Sequence, residues 1–226
     1  VIGTLSSRPA YARQLLAAVE AGTVPATEVS AFTARQLEAL KDPVVTATLK
    51  QVWGSLRPTD ASRRQAIVEL RSQLPPAVLE KGDLSHGRLL FKKTCAGCHR
   101  LFDDGRQLGP DLTGSQRHSI DYLLENLVDP NAVVGGDYRM TVIALESGRV
   151  LNGLVRAEDE NTITLETANE TVRVPVAEVE QRQRQSISFM PEKLLEKLSP
   201  VDLRDLLAYL MAPAQVPLPP EAQAAP

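Results

Sequence analysis

Cys95-Ala96-Gly97-Cys98-His99 is the stretch on which the reading of this chain turns. Two cysteines three positions apart, followed at once by a histidine, form the C-x-x-C-H pattern of covalent c-type haem attachment. Each thiol can form a thioether with a vinyl group of the porphyrin, and the adjacent imidazole can reach the iron. Cys95 and Cys98 stand at i and i+3, Cys95 and His99 at i and i+4, so one helical turn presents all three on one face. The chain of 226 residues contains 2 cysteines, which leaves none for a separate disulfide.

Other chemistries use the same residues. A thioredoxin-like redox pair wants a preceding strand in a βαβ context. Here Asp83 to Lys93 reads as a helix, and no parallel-sheet pattern surrounds it. A structural zinc ion needs four ligands. Beyond Cys95, Cys98 and His99 the chain offers His86 and His118, at spacings that match no common zinc motif.

A haem iron held by one histidine has either a second axial ligand or an open position. Methionine suits an electron carrier, because a soft thioether stabilises the ferrous state and raises the potential. Of the 3 methionines, Met140 lies in a predicted strand and is expected in the core, and Met211 follows the last helical run and is expected to pack. Met190 stands in Ser188-Phe189-Met190-Pro191, an extended loop ahead of a helix. Pro191 biases it away from helical geometry, and a loop can carry a sulfur over a haem face. Met190 is therefore the expected distal ligand. On the other side, Gly109-Pro110-Asp111-Leu112-Thr113-Gly114 follows the attachment motif closely. The Pro110 carbonyl is expected to accept a hydrogen bond from His99 and so orient the ring.

Residues 83–211 resemble a class I-type c cytochrome. The likeness is carried by Gly87-Arg88-Leu89-Leu90-Phe91, Cys95-Ala96-Gly97-Cys98-His99, Gly109-Pro110-Asp111-Leu112-Thr113-Gly114, Phe189-Met190-Pro191 and Leu203-Arg204-Asp205-Leu206-Leu207-Ala208-Tyr209-Leu210. The resemblance implies one covalent haem c per chain. It implies that the first and last helices cross at Gly87 with Phe91 and Tyr209 as an aromatic pair, that Pro110 accepts from His99, and that Met190 is the distal ligand. Thr113-Gly114-Ser115-Gln116-Arg117, Asp121-Tyr122-Leu123-Leu124-Glu125-Asn126 and Asp129-Pro130-Asn131-Ala132 are more closely similar to the haem-binding C-terminal module of planctomycete and verrucomicrobial multidomain proteins. That resemblance implies HEAT-like helical repeats ahead of the module. It also implies an electron donor that is a dehydrogenase domain on the same polypeptide or a redox partner protein. Covalent haem attachment in the family occurs outside the bacterial cytoplasm. A periplasmic or otherwise exported location is thus expected, with Val1 inside a longer protein rather than at its native start.

His99 and Met190 are separated by more chain than a compact cytochrome requires. Arg139 to Leu145, Val150 to Arg156, Thr162 to Thr167 and Thr171 to Val174 read as strands rich in Val, Ile, Thr and Leu. Glu146-Ser147-Gly148-Arg149, Ala157 to Asn161 and Ala168-Asn169-Glu170 are the turns between them. The expected result is an antiparallel meander or small barrel, with Val176 to Glu180 as a possible fifth strand, serving to shield the haem and meet a partner. The basic run Gln181-Arg182-Gln183-Arg184-Gln185 reads as a solvated edge. Arg117, Tyr138 and Arg139 are candidates for the haem propionates by nearness to the motif.

Residues 1–80 lack β signals. Helices are expected over Pro9 to Glu20, over Thr27 to Leu40 with Thr27 or Ser30 as N-cap, from Asp42-Pro43 to Trp53, and from Thr59-Asp60 to Pro75-Pro76. The expected fold is mainly α with a β insertion. A helical-hairpin domain spans 1–80, and a cytochrome c domain spans 81–212 with its insertion at about 138–182. A Pro-rich tail, extended or disordered, occupies 213–226.

Composition is that of an ordinary globular chain, 43% hydrophobic and 23% charged. A net charge of −3 and a pI near 5.7 argue against general nucleic-acid binding. No apolar run is long enough to span a bilayer. The expected function is single-electron transfer by a mono-haem cytochrome module rather than enzymatic catalysis. Two alternatives stand beside it: a five-coordinate haem that binds gas or does peroxidase-like chemistry, and an interaction scaffold in which haem is structural.

Overall fold

The computed structural model describes residues 2–223. Its described residues form two compact units, one of residues 2–58 with 131–189 and one of residues 59–130 with 190–223.

In the first unit three longer helices, joined by the four-residue helix Ile2–Leu5, share one apolar core. They are α1 (Pro9–Glu20), α2 (Ala31–Ala39) and α3 (Pro43–Val52). Pro9 and Pro43 suit a first turn, where no amide hydrogen is needed. Asp42 caps α3 by accepting from the Val44 and Val45 amides at 3.1 and 3.0 Å. The cap of α2 is Ser30, which accepts from the Thr33 amide at 3.1 Å, while Thr27 sits in a separate 3-10 turn over Ala26–Glu28. Leu15, Leu16, Leu37, Val45, Leu49 and Trp53 are buried together, and the Trp53 indole donates to the Val29 carbonyl at 2.6 Å.

The N-terminal region contains a strand that its sequence does not announce. β1 (Gly54–Leu56) pairs antiparallel with β2 (Val133–Gly135), Gly54 opposite Gly135. Three residues are too few to show an alternation, so pairing rather than propensity makes this strand. A Cβ on Gly54 would lie 2.2 Å from the Val134 carbonyl oxygen, so the approach requires glycine.

The same unit carries a five-stranded antiparallel sheet of β3 (Arg139–Leu145), β4 (Val150–Glu158), β5 (Thr162–Glu166), β6 (Thr171–Pro175) and β7 (Val179–Ser188). The order is β6-β5-β4-β3-β7, a meander whose last strand returns to the free side of β3. The ladder has two ends and is not a closed barrel. Ile143, Leu145, Leu151, Ile163, Leu165 and Val174 form its core. Two boundaries differ from expectation. β4 runs on to Glu158 because a register shift between Val155 and Ala157 absorbs an extra residue in its pairing with β5. Val176–Glu178 is a 3-10 turn, and the last strand lies beyond it. That strand includes Gln181 to Arg184, which are exposed, and half-buried Gln185, a run without an apolar side. Such charge suits a sheet edge, where it discourages pairing with other chains.

In the second unit α4 (Ala61–Gln73), α5 (Leu84–Thr94), α6 (Ile120–Val128) and α7 (Pro200–Met211) surround one core. Leu74, Phe91, Leu101, Leu124, Leu206 and Tyr209 are buried in it, with Ile67 and Leu70 of α4 packed against them. The unit boundaries therefore differ from a border at residue 80. The apolar face of α4 is covered by this core, and Arg71 pairs with Asp121 of α6 at 2.8 Å. Gly87 is the closest approach of α5 to α7: a Cβ there would meet the Asp205 carbonyl oxygen at 2.1 Å. Phe91 and Tyr209 pack with ring centroids 5.7 Å apart.

The tail is more ordered than its prolines suggest. Gln215 accepts from the Tyr209 hydroxyl at 2.7 Å, and the Val216 carbonyl accepts from Arg88 at 2.5 Å. Pro219 is buried, and Pro220–Gln223 forms a short helix with proline at its first position. Residues 224–226 of that expected tail lie outside the described residues.

Candidate haem-attachment site

Asp83 starts the helix that leads into the motif, accepting from the His86 amide at 3.0 Å. The helix α5 ends at Thr94, and Cys95 is its C-cap. The motif is thus one further turn rather than regular helix. That turn is closed by the amides of Cys98 and His99, which donate to the Cys95 carbonyl at 3.0 and 2.8 Å. Both cysteines are half-buried, and no disulfide joins them.

The next residues fold back over this turn and hold it by backbone hydrogen bonds. The Arg106 amide donates to the Ala96 carbonyl at 2.9 Å, the Gly109 amide to Cys98 at 2.7 Å, and the Leu112 amide to Arg100 at 2.8 Å. Gly105 has φ +98°, and a Cβ there would lie 2.1 Å from the His99 carbonyl oxygen. Gly109 lies against the imidazole itself, where a Cβ would be 2.7 Å from Cε1. The ring is set so that Nδ1 lies 2.8 Å from the Pro110 carbonyl oxygen. A carbonyl only accepts, so Nδ1 carries the hydrogen and Nε2 has the lone pair.

Burial lowers the proton affinity of His99, with the Pro110 hydrogen bond acting in the opposite direction. A neutral imidazole is the form that ligates a metal. Burial, helped by the neighbouring Cys98, pushes the Cys95 thiol up to about 12. A redox dithiol depends on a lowered thiol pKa, so the environment of Cys95 argues against that chemistry, as does the helix rather than strand before it. Among the described residues no group of three His, Cys, Asp or Glu side chains is placed to hold a metal ion on its own. The Cys95 and Cys98 thiols beside one oriented, neutral imidazole fit a porphyrin held at its edge and its centre.

Met190 lies in the loop before α7 and packs on the same core as Cys95, Ala96, Phe102 and Leu112. Met211 is the last residue of α7 and packs there too. Met140 is in β3 of the other unit. The buried residues of that strand are Thr141, Ile143 and Leu145, so Met140 is out of phase with them and only half-buried, contrary to the core position expected for it. Among the propionate candidates, Arg117 is buried and donates to the Thr113, Leu210 and Ala212 carbonyls at 3.4, 2.8 and 2.5 Å. Its guanidinium also lies 4.9 Å from the Phe102 ring centroid, so it ties the C-terminus of α7 to the haem loop. Tyr138 and Arg139 belong to the unit that contains the sheet.

Several supporting residues have no sequence signal. Asp104 accepts from Arg88 Nε and Nη2 at 2.8 and 2.6 Å and from Gln215 at 3.3 Å. Phe102, at φ 54°, donates its amide to Thr113 Oγ1 at 2.8 Å and packs edge-on to Tyr209.

The fold-back, the oriented histidine and the paired thiols together fit the geometry of a c-type haem site. The cytochrome c family model matches residues 84–142. Over 49 residues the chain is 43% identical to a cytochrome c-553-like protein of Synechocystis sp., a stretch that is 21% of this chain and 46% of that protein. The chain therefore spans about half the length of the curated relative it matches. A cytochrome c domain implies covalently bound c-type haem, and this match points to haem-based electron transfer. No helix among the described residues is long and apolar enough to cross a membrane.

Proposed function

We propose that this chain provides a mono-haem cytochrome module for single-electron transfer. Cys95 and Cys98 would hold the haem through thioethers, His99 and Met190 would ligate its iron, and the Pro110 carbonyl orients the His99 ring. The observation that carries this reading is the 2.8 Å contact of His99 Nδ1 with Pro110, because it aims Nε2 as a metal donor. The haem supplies a one-electron couple, whose potential a methionine ligand raises. The protein keeps His99 neutral, brings in a soft sulfur from the loop at Met190, and packs apolar side chains such as Leu112 and Phe102 near the motif to exclude water.

The resemblance to the planctomycete and verrucomicrobial modules supports the finer parts. In this reading a dehydrogenase, fused or separate, donates the electron. The helices α1 to α3 continue a helical-repeat region, the sheet meets a partner, and the protein works in the periplasm or otherwise outside the cytoplasm.

The test uses protein matured with its haem. A pyridine haemochrome spectrum of the thioether type is expected. So is a sulfur-to-iron charge-transfer band that disappears in Met190→Ala and persists in Met140→Ala. Matured protein without haem overturns the module. Fast carbon monoxide binding to the ferrous protein, with no charge-transfer band, overturns Met190 as ligand and leaves a five-coordinate haem.

A further inference from the structure

Arg139 has a donor that the fold leaves unmatched. Its Nε is buried and has no hydrogen-bond partner, which is rare for a buried polar group. The side chain lines a cavity of about 160 Å3 together with Gly136, Asp137, Thr141, Val155, Arg182 and Arg184. Thr141 of β3 is opposite Arg184 of β7, and Ile143 is opposite Arg182. Residues paired in this way project from the same face of the sheet, so the three arginines gather at one corner of it. Arg182 is paired with Glu158 at 2.6 Å. Arg184 donates to the Gly136 carbonyl at 2.6 Å, a neutral partner that leaves its charge unbalanced. Burial and the nearby Arg184 charge both disfavour the Arg139 cation.

We propose that this corner of the sheet binds a small oxyanion, a carboxylate or phosphate group, between Arg139 and Arg184. An oxyanion accepts from the orphaned Nε and offsets the repulsion between two guanidinium groups. The planar fork of arginine matches the oxygen spacing of both anion types. Room is sufficient, since one water occupies roughly 30 Å3.

The experiment titrates inorganic phosphate and, separately, acetate into the haem-loaded protein at fixed ionic strength, read by calorimetry. One saturable site per chain is expected for at least one of the two. Tighter phosphate marks a tetrahedral ligand and tighter acetate a carboxylate. Arg139→Gln and Arg184→Gln each weaken binding tenfold or more. Arg173→Gln, an exposed arginine of β6 outside the cavity, leaves it unchanged. Trp53 emission checks that each variant is folded, and Arg139→Lys replaces a variant that is not. No saturable binding of either anion, or equal weakening in Arg173→Gln, overturns the site.

Discussion

Gly109 and Pro110 act on His99 in different ways, and substitution separates them. The absence of a side chain at Gly109 lets the imidazole lie against the backbone, with a Cβ position only 2.7 Å from Cε1 and 3.0 Å from Nδ1. Gly109→Ala must move the ring, the loop or both. Overpacking of this kind costs about 1–3 kcal/mol. We expect a lower unfolding midpoint and a changed haem absorption spectrum, read in one thermal melt followed at the haem band. The group that Pro110 offers is a backbone carbonyl, which any residue has. Pro110→Ala should therefore leave the haem spectrum as it is and lower stability by no more than about 1 kcal/mol, the effect of loosening the unfolded chain. A large spectral change in Pro110→Ala would show that ring rigidity, and not the acceptor, orients His99.

At the scale of elements, the α5–α7 crossing decides whether the second unit holds together. Gly87→Ala improves helix propensity by about 1 kcal/mol. Yet its Cβ would meet the Asp205 carbonyl oxygen at 2.1 Å and Tyr209 Cβ at 2.7 Å, and backbone cannot yield as a flexible side chain can. The clash wins, at about 3 kcal/mol or more. Urea unfolding of Gly87→Ala should show it, and a stability equal to the parent would mean that the helices do not cross here. Asp205 adds a pH dependence to the same crossing. Burial alone would raise its pKa. Hydrogen bonds from His86 Nδ1, Arg204 Nε and the Asp83 amide outweigh burial and hold it below the ordinary 3.8. A carboxylate depressed in the folded state stabilises the protein above its unfolded pKa, and that stability is lost as pH falls through the folded value. Denaturant unfolding between pH 6 and pH 2 should therefore show the parent falling below pH 3.8 more steeply than Asp205→Asn. The variant is less stable at neutral pH, and the two curves converge in acid.

At the scale of the whole molecule, each unit has its own optical probe. Trp53, the chain's 1 tryptophan, is buried in the core of α1 to α3, whereas the haem absorbs in the unit of α4 to α7. Met190→Ala removes an interaction of the second unit alone. Its unfolding midpoint read at the haem band should drop by several degrees, as a loss of about 1–2 kcal/mol implies. The midpoint read by Trp53 emission should stay within a degree. Equal shifts in both signals would show that the units unfold as one cooperative body.

What could be read from sequence is what depends on residues close together along the chain. The caps at Asp42, Asp60 and Asp83 were legible because each side chain reaches amides two or three positions ahead. Cys95, Cys98 and His99 were legible because one turn of chain suffices to gather them. The His99–Pro110 contact spans 11 residues and was still within reach of motif spacing. Elsewhere the sequence was silent or incomplete. The apolar stripe of α4 states that something covers it but not what, and only packing assigns it to Phe91, Leu206 and their neighbours. The strand β1 exists because β2 lies beside it, and β7 because β3 had a free edge. The anion-seeking corner at Arg139 arises from the register of two strands some 40 residues apart. Local chemistry determined the haem motif and most element starts. Partners distant in the chain settled which elements share a core, because burial rewards any apolar face alike and geometry alone selects its neighbour.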